Sequence, residues 1–453
     1  MDSLGKDKMV RILSLFAIFA AMMSCGGGKY AARKEKAYLD EILPLPVAVA
    51  YLTEESGQIP DSVYMTHINY AFGRVNETFD GVRVDNPDRL HEVVDMKRQY
   101  PELRILLSIR ESKDERFTQI GGDGGLRRAF SKDCARILRE FNLDGIDIYW
   151  EFPDSLGLTR LLRSIRSAIS KEKLLTVMSQ ADAARIDFHG INKYIDWVNV
   201  KAYDLADSLK HPSALFHSKR SAKLTVGESI YLHEKAGVPV NKMVIGISFY
   251  GHGSLSVPEG YNMWTMKDIP GITNHWDNVA KVPYLMNTDS VLVYGYENNG
   301  SVIEKSLWVT RWGMRGIMYW NYEGDNAHHD LSRIIKKYIK DIYRDKIRSR
   351  RSAAVADSIN GIYIPKNFRE CCEQLDKWTS EEMKSSLAKD GFGGLFFDME
   401  LRNIWGLWAG SRLYYYTKNE MAKVGKYTDD PDDISGYIID LYQAYLRKKG
   451  YPK

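Results

Sequence analysis

From Pro46 onward the chain alternates short apolar runs rich in β-branched residues with longer stretches of helical period, the pattern of βα units that feed a parallel sheet. The apolar runs predict strands over residues 47–51, 67–72, 104–109, 145–150, 174–179, 197–203, 243–250 and 316–320. The amphipathic stretches between them predict helices that include residues 88–99, 125–141, 158–169 and 225–236. Eight strands with helical crossovers can close into a (β/α)8 barrel, and the strand ends then gather functional side chains at one face. An open doubly wound sheet shares the alternation, but no Gly-x-Gly-x-x-Gly turn follows the first strand. The expected fold class is therefore α/β, a TIM barrel over residues 46–345. A linker over 346–357 and a small, mainly helical domain over 358–453 follow it.

Residues 251–315, between the seventh and eighth strands, far exceed the usual βα loop of about two to six residues and predict a decorated loop over the strand ends. Trp264, Trp276 and Tyr284 in it can stack on a ligand or pack the loop, and packing is the commoner fate. The basic stretch Arg344-Asp-Lys-Ile-Arg-Ser-Arg-Arg-Ser reads as a solvated linker rather than a binding patch.

Composition narrows the partners. A net charge of +4 from 63 basic and 59 acidic residues gives no field that would favour nucleic acid. The four cysteines, Cys25, Cys134, Cys371 and Cys372, make no disulfide framework, since adjacent cysteines rarely have the geometry to bridge. No Cys/His spacing resembles a zinc site, and His328-His329 reads as a solvated loop, so neither metal nor cofactor is expected.

The amino terminus reads as an address. Lys6, Lys8 and Arg11 precede a short apolar run that ends at Ser24-Cys25-Gly-Gly-Gly, a secretory signal over residues 1–24. The cysteine after a small residue resembles the bacterial lipoprotein signal, although Met22 and Met23 stand where that signal usually has leucine and a small residue. This implies lipidation at Cys25, a tether over residues 25–45, and export with a lipid anchor to a bacterial membrane, on its periplasmic or cell-surface side.

The chemistry concentrates in Asp144-Gly-Ile-Asp147-Ile-Tyr149-Trp-Glu151-Phe-Pro. On a strand Asp147, Tyr149 and Glu151 share one face, with Ile146, Ile148 and Trp150 on the other. A charged residue inside an apolar strand needs partners or a function, because an unpaired buried carboxylate is costly. Asp144 falls off this face and is expected to bond the turn at Gly145.

This segment resembles the signature Asp-Gly-x-Asp-x-Asp-x-Glu of family 18 chitinases and endo-N-acetylglucosaminidases. The likeness continues in Thr66-His-Ile-Asn-Tyr-Ala-Phe72, Leu106-Leu-Ser-Ile109, Trp197-Val-Asn-Val-Lys-Ala-Tyr203-Asp204, Val244-Ile-Gly-Ile-Ser-Phe-Tyr250-Gly251 and Gly316-Ile-Met-Tyr-Trp320, in order over residues 46–340. It implies substrate-assisted hydrolysis of N-acetylglucosamine glycans, in which the sugar's own N-acetyl oxygen attacks the anomeric carbon, an exception to the two-carboxylate scheme. Glu151 then matches the acid, Asp147 the inner supporting aspartate, Tyr203 and Asp204 the acetamido contacts, and Trp320 the platform under the sugar. Tyr51, Phe72, Tyr149, Lys201 and Arg110 complete the expected substrate-binding surface.

Three features, four residues in all, depart from the pattern. Tyr149 replaces the middle aspartate, Arg110-Glu111 replaces a pair of glycines, and Lys201 replaces a methionine. Loss of one preorganised charge contact costs about 3–4 kcal/mol of catalysis. Lys201, sharing the face of Tyr203, is expected to bring a cation near Glu151. In a compensated alternative, Lys201 or Arg110 pairs with Asp147 and Glu111. Two functions stay open: a weakened hydrolase of chitin-like or N-glycan-core glycans, and a non-catalytic glycan-binding lipoprotein. The carboxyl-terminal stretch, with Trp405, Trp408 and Tyr414–Tyr416, resembles a helical domain of unknown function found in Bacteroidetes, and its aromatics are expected in a core rather than on a glycan.

Overall fold

The computed structural model describes residues 35–451 apart from 37, 58, 112–114, 207–208, 255–268 and 391–393. The predicted signal over 1–24, the lipidation site Cys25, the first part of the tether and Trp264 lie outside the described residues. The chain divides into two compact units, one of residues 46–345 and one of residues 1–45 with 346–453.

The first unit is a closed parallel barrel. Its strands are β1 (Val47–Thr53), β2 (His67–Val75), β3 (Arg104–Arg110), β4 (Gly145–Tyr149), β5 (Leu174–Gln180), β6 (Trp197–Lys201), β7 (Met243–Ser248) and β8 (Gly316–Trp320). They pair in chain order, and β1 closes the ring by pairing with both β2 and β8. Residues facing the interior and residues facing the helices are both buried, so β4 is buried at every position. Gly145 opens β4 because a Cβ there would lie 2.5 Å from the carbonyl oxygen of Leu174 on β5. Asp144 Oδ2 accepts from the backbone N–H of Ile105 and from Lys97 Nζ, both at 2.9 Å, and so ties β4 to β3 and to the helix Pro87–Gln99.

Crossover helices begin at side-chain caps that satisfy their first amide groups. Asn86 caps Pro87–Gln99, Asp123 caps Gly124–Glu140, Asp154 caps Ser155–Ala168, and Thr225 with Glu228 forms a capping box on Val226–Lys235. Trp150 leaves β4 toward this helical layer and stacks on Phe117, 5.5 Å between ring centres, so the outward face predicted for it is the observed one.

The described part of residues 251–315, which leaves out 255–268, is more regular than a decorated loop. It carries a four-stranded antiparallel sheet, Thr273–Asp277, Val282–Met286, Leu292–Gly295 and His252–Gly253, followed by the helix Asn299–Trp312. Tyr284 is buried between the Arg220 guanidinium, 4.6 Å from its ring centre, and the His275 ring, while Trp276 is partly exposed. Beneath this sheet Lys305 and Glu297 form a fully buried ion pair that Ser213 also joins.

In the second unit the helices Phe368–Trp378, Gly394–Ile404, Arg412–Lys423 and Pro431–Lys448 pack Leu375, Leu401, Leu413, Ile438 and Tyr442 into one core. Trp405 and Tyr414 are buried there and Tyr415 and Tyr416 pack against it, whereas Trp408 is exposed with Arg402 over its ring. Two stretches expected to be irregular are helical. Residues 38–42 of the tether form a helical turn, and the basic linker lies in the helix Arg344–Val355. Arg351 joins them by donating to the Leu43 carbonyl at 3.0 Å and to Asp40 at 2.8 Å.

Candidate active site

Barrel register builds the floor of the site. Ser108 on β3, Asp147 on β4 and Thr176 on β5 are paired neighbours, so three polar side chains enter the interior on one rung. Asp147 is fully buried and receives four donors: Tyr51 OH at 2.8 Å, Ser108 Oγ at 2.8 Å, Thr176 Oγ1 at 2.5 Å and Asn199 Nδ2 at 3.0 Å. The Asn199 amide is oriented by Trp197 Nε1, which donates to its oxygen at 3.0 Å and leaves the NH2 group for Asp147. Burial raises the Asp147 carboxyl above its ordinary range, and the four hydrogen bonds oppose that rise.

Tyr51, expected on the substrate-binding surface, lies in this floor. It is completely buried, its hydroxyl is spent on Asp147, and burial beside that carboxylate pushes the phenol well above its usual range. Ser108, Thr176 and Asn199 were not singled out from the sequence, though each is a polar residue on the inward face of an apolar strand.

Above the floor stands an aromatic layer. Trp320 stacks on Phe72, 5.5 Å between centres at 19°, and lies 5.4 Å from Tyr51. The peptide bonds Ala71–Phe72 and Trp320–Asn321 are cis. Tyr149 is buried beside Phe72 and Tyr203, and burial raises its phenol while Lys201 and Arg110 pull it down. Tyr203 is buried too, and Gly246 on β7 makes room for it: a Cβ there would come within 2.7 Å of its ring.

The cations sit elsewhere than predicted. Arg110, paired in register with Tyr149, lays its guanidinium 4.9 Å from the Tyr149 ring centre and 5.4 Å from that of Phe72. Its Nη2 lies 3.4 Å from Glu151 Oε2, so Arg110, not Lys201, is the cation that meets Glu151. Lys201 instead turns to Asp204 Oδ2 at 3.2 Å. Asp204, in a left-handed backbone conformation, also accepts from Tyr250 OH at 2.8 Å and lies 3.4 Å from His252 Nε2. Nor do the cations compensate Asp147 and Glu111. Asp147 is saturated by neutral donors, and Glu111 accepts from the Val75 N–H at 2.6 Å with Arg116 3.9 Å away. Among the described residues no group of His, Cys, Asp and Glu is placed to hold a metal ion.

The site therefore brings together Glu151, Arg110, Tyr149, Phe72 and Trp320 at the exits of β2, β3, β4 and β8, with Asp147 sealed below and Tyr203, Asp204 and Lys201 on the β6 side. The profile of Glycosyl hydrolases family 18 matches residues 47–325. The chain belongs to that family. A second profile, a domain of unknown function termed DUF6794, matches residues 364–446. Chitinase A1 of Niallia circulans is 26% identical over 312 residues, 55% of this chain and 45% of its own length. Chitinase C of Streptomyces lividans is 25% identical over 59% of this chain and 53% of its own. The chain thus spans about half the length of these two relatives. A family 18 N-acetylglucosaminidase structure from Paenibacillus barengoltzii superposes with a TM-score of 0.58 at 25% identity, covering 64% of this chain and 99% of that one. The Group IV chitinase of Ostrinia furnacalis shares the fold with a TM-score of 0.60 at 22% identity, covering 65% of this chain and all of that one. The residues matched by the second profile lie within the second unit.

Proposed function

We propose that this family 18 barrel binds β-linked N-acetylglucosamine oligosaccharides on the Trp320 platform and that hydrolysis there is suppressed. One observation carries the reading: the Arg110 guanidinium is held against the neighbouring Tyr149 and Phe72 rings with Nη2 3.4 Å from Glu151. A carboxyl group that is to protonate a leaving oxygen needs that oxygen, not a guanidinium, as its partner. Tyr149 compounds the loss, since a phenol supplies no negative charge to a cationic intermediate at neutral pH. The partly exposed Trp320 face, with Phe72 stacked beside it, remains suited to a sugar ring.

Calorimetric titration with chitotetraose tests this, alongside product analysis of the same mixture. Binding without cleavage, lost in Trp320→Ala, is the expected result. Cleavage by the natural chain that disappears in Glu151→Gln overturns it. The competing hydrolase reading draws on the intact Asp147 network, because its four donors still support the strand that leads to Glu151.

We further propose that the protein is exported and lipid-anchored through Cys25. The support is the charged start, the apolar run and Ser24-Cys25-Gly-Gly-Gly. Release of Cys25→Ala from the membrane fraction is the expected outcome, and unchanged membrane association of that variant would count against it.

A further inference from the structure

A cavity of about 620 Å³ opens from the Phe72 and Trp320 rings across the exits of β1, β2 and β3. Unlike an ordinary sugar cleft its wall is dominated by guanidinium groups: Arg74, Arg83, Arg110 and Arg116 all line it. Their side chains are 33%, 46%, 32% and 28% exposed. Of the carboxylates on the same wall, Glu54 is 20% and Glu111 8% exposed, and Glu111 is occupied by the Val75 amide. Glu55 is the one open carboxylate among these lining residues. Four guanidiniums against three carboxylates, with Glu54 4.0 Å from Arg74, leave this wall cationic by one charge.

The arginines are not idle. Arg74 and Arg83 converge on Asp85, at 3.3 and 2.7 Å, and Arg83 and Arg116 on Glu77, at 3.0 and 3.1 Å. Glu77 is 70% exposed and Asp85 36%, and neither lines the cavity. Pairs that open to solvent are weak and exchange partners readily, whereas each guanidinium has five donors and can take a second anion in a fork.

We propose that this cavity takes an anionic sugar unit, one bearing a carboxylate or a sulfate, next to the unit stacked on Trp320. The inference rests on the mouth being a glycan site and names which glycans it prefers. The aromatic floor holds the neutral face of the chain, and the arginine wall reads the charge. Arg110 belongs to both, so an anion in the cavity also competes with Glu151 for its guanidinium.

Calorimetric titration of the full chain with three oligosaccharides of matched length tests the inference: chitotetraose, its 6-O-sulfated form, and a hyaluronan tetrasaccharide carrying uronic acid. At least one anionic glycan binds about tenfold or more tightly than the neutral one, the preference shrinks as salt is raised from 50 to about 300 mM, and it falls toward unity in Arg74→Gln/Arg83→Gln. The two anionic arms show whether sulfate or carboxylate is the group read. Equal affinity for all three, or a preference that salt and the double variant leave intact, overturns the inference while leaving a neutral glycan site standing. Failure of all three to bind overturns the glycan reading of the mouth itself, and the inference with it. The natural chain's ratio and its salt dependence decide the matter without the variant, should that variant not fold.

Discussion

Returning a carboxylate to position 149 should revive hydrolysis in full only when Arg110 is removed at the same time. The ion pair of Arg110 with Glu151 is about one-third exposed on each side, so after screening it contributes at most about 1 kcal/mol. The two ring contacts at 4.9 and 5.4 Å add about 0.5–1 kcal/mol each. Together they hold the guanidinium in place by about 1–3 kcal/mol, a penalty of roughly five- to a hundredfold on any complex that needs Glu151 free. Arg110→Gly alone is therefore expected to raise turnover by about tenfold. Tyr149→Asp alone is expected to gain less, because the new carboxylate lies within reach of the same guanidinium and is neutralised by it. With both changes the restored charge contact is worth about 3–4 kcal/mol in the transition state, about a hundredfold or more in rate. The pair should thus exceed the product of the single effects, a positive coupling of about 1–2 kcal/mol. Initial rates of fluorophore release from a 4-methylumbelliferyl chitobioside measure all four proteins, with near-ultraviolet circular dichroism as the check on folding. That check is needed because cutting a buried aromatic ring back costs about 3–5 kcal/mol of stability. A folded double variant no faster than Arg110→Gly would refute the reasoning, and so would a gain that survives Glu151→Gln.

Three further outcomes follow from buried polar groups. Asp147→Ala strands four donors in a dry interior at about 1–3 kcal/mol each before any water enters, so urea unfolding should show a loss of about 4 kcal/mol or more. Lys305→Met leaves the Glu297 carboxylate buried without its cation and should cost about 3–5 kcal/mol, most of it recovered in Glu297→Leu/Lys305→Met; a double variant no more stable than the single one would show that the pair is not what matters. Burial depresses His211 and His233 to about 4, below the unfolded value near 6.5. A depressed histidine stabilises the fold while both states are neutral, above the unfolded value, and that stability is lost as pH falls through the window from about 6.5 to about 4. At pH 5 the loss is about 2 kcal/mol for each, so the urea midpoint should drop between pH 7 and 5, and the drop should shrink in His233→Gln.

The barrel was legible because a parallel strand buried on both faces must be apolar almost throughout, and β1, β4 and β7 are continuous apolar runs except where chemistry intrudes. Asp147 stood out for the same reason. The sheet over residues 273–295 did not, since its strands are four or five residues long and Thr273, Asn274, His275 and Trp276 are all exposed, leaving no alternation to read. The helix Arg344–Val355 was hidden by its charge, although arginine, lysine and alanine are good helix formers and Arg351 finds partners in a segment three hundred residues earlier.

Why the cations settle where they do follows from the floor beneath them. Asp147 is fully buried and its two oxygens already accept four neutral donors, so a guanidinium could reach it only by losing its own hydration and displacing hydroxyls that fit. Glu151 and Asp204 stand at the partly exposed rim, where a cation keeps some water. Register then chooses between them: Arg110 is the rung partner of Tyr149 and extends along that ring to Glu151, whereas Lys201 ends β6 three residues before Asp204 and folds back on it. The sequence shows both cations and both carboxylates, but the pairing is a property of strand register across the barrel. For that reason replacing Lys201 alone should leave Glu151 in its present ion pair, and replacing Arg110 alone should free it.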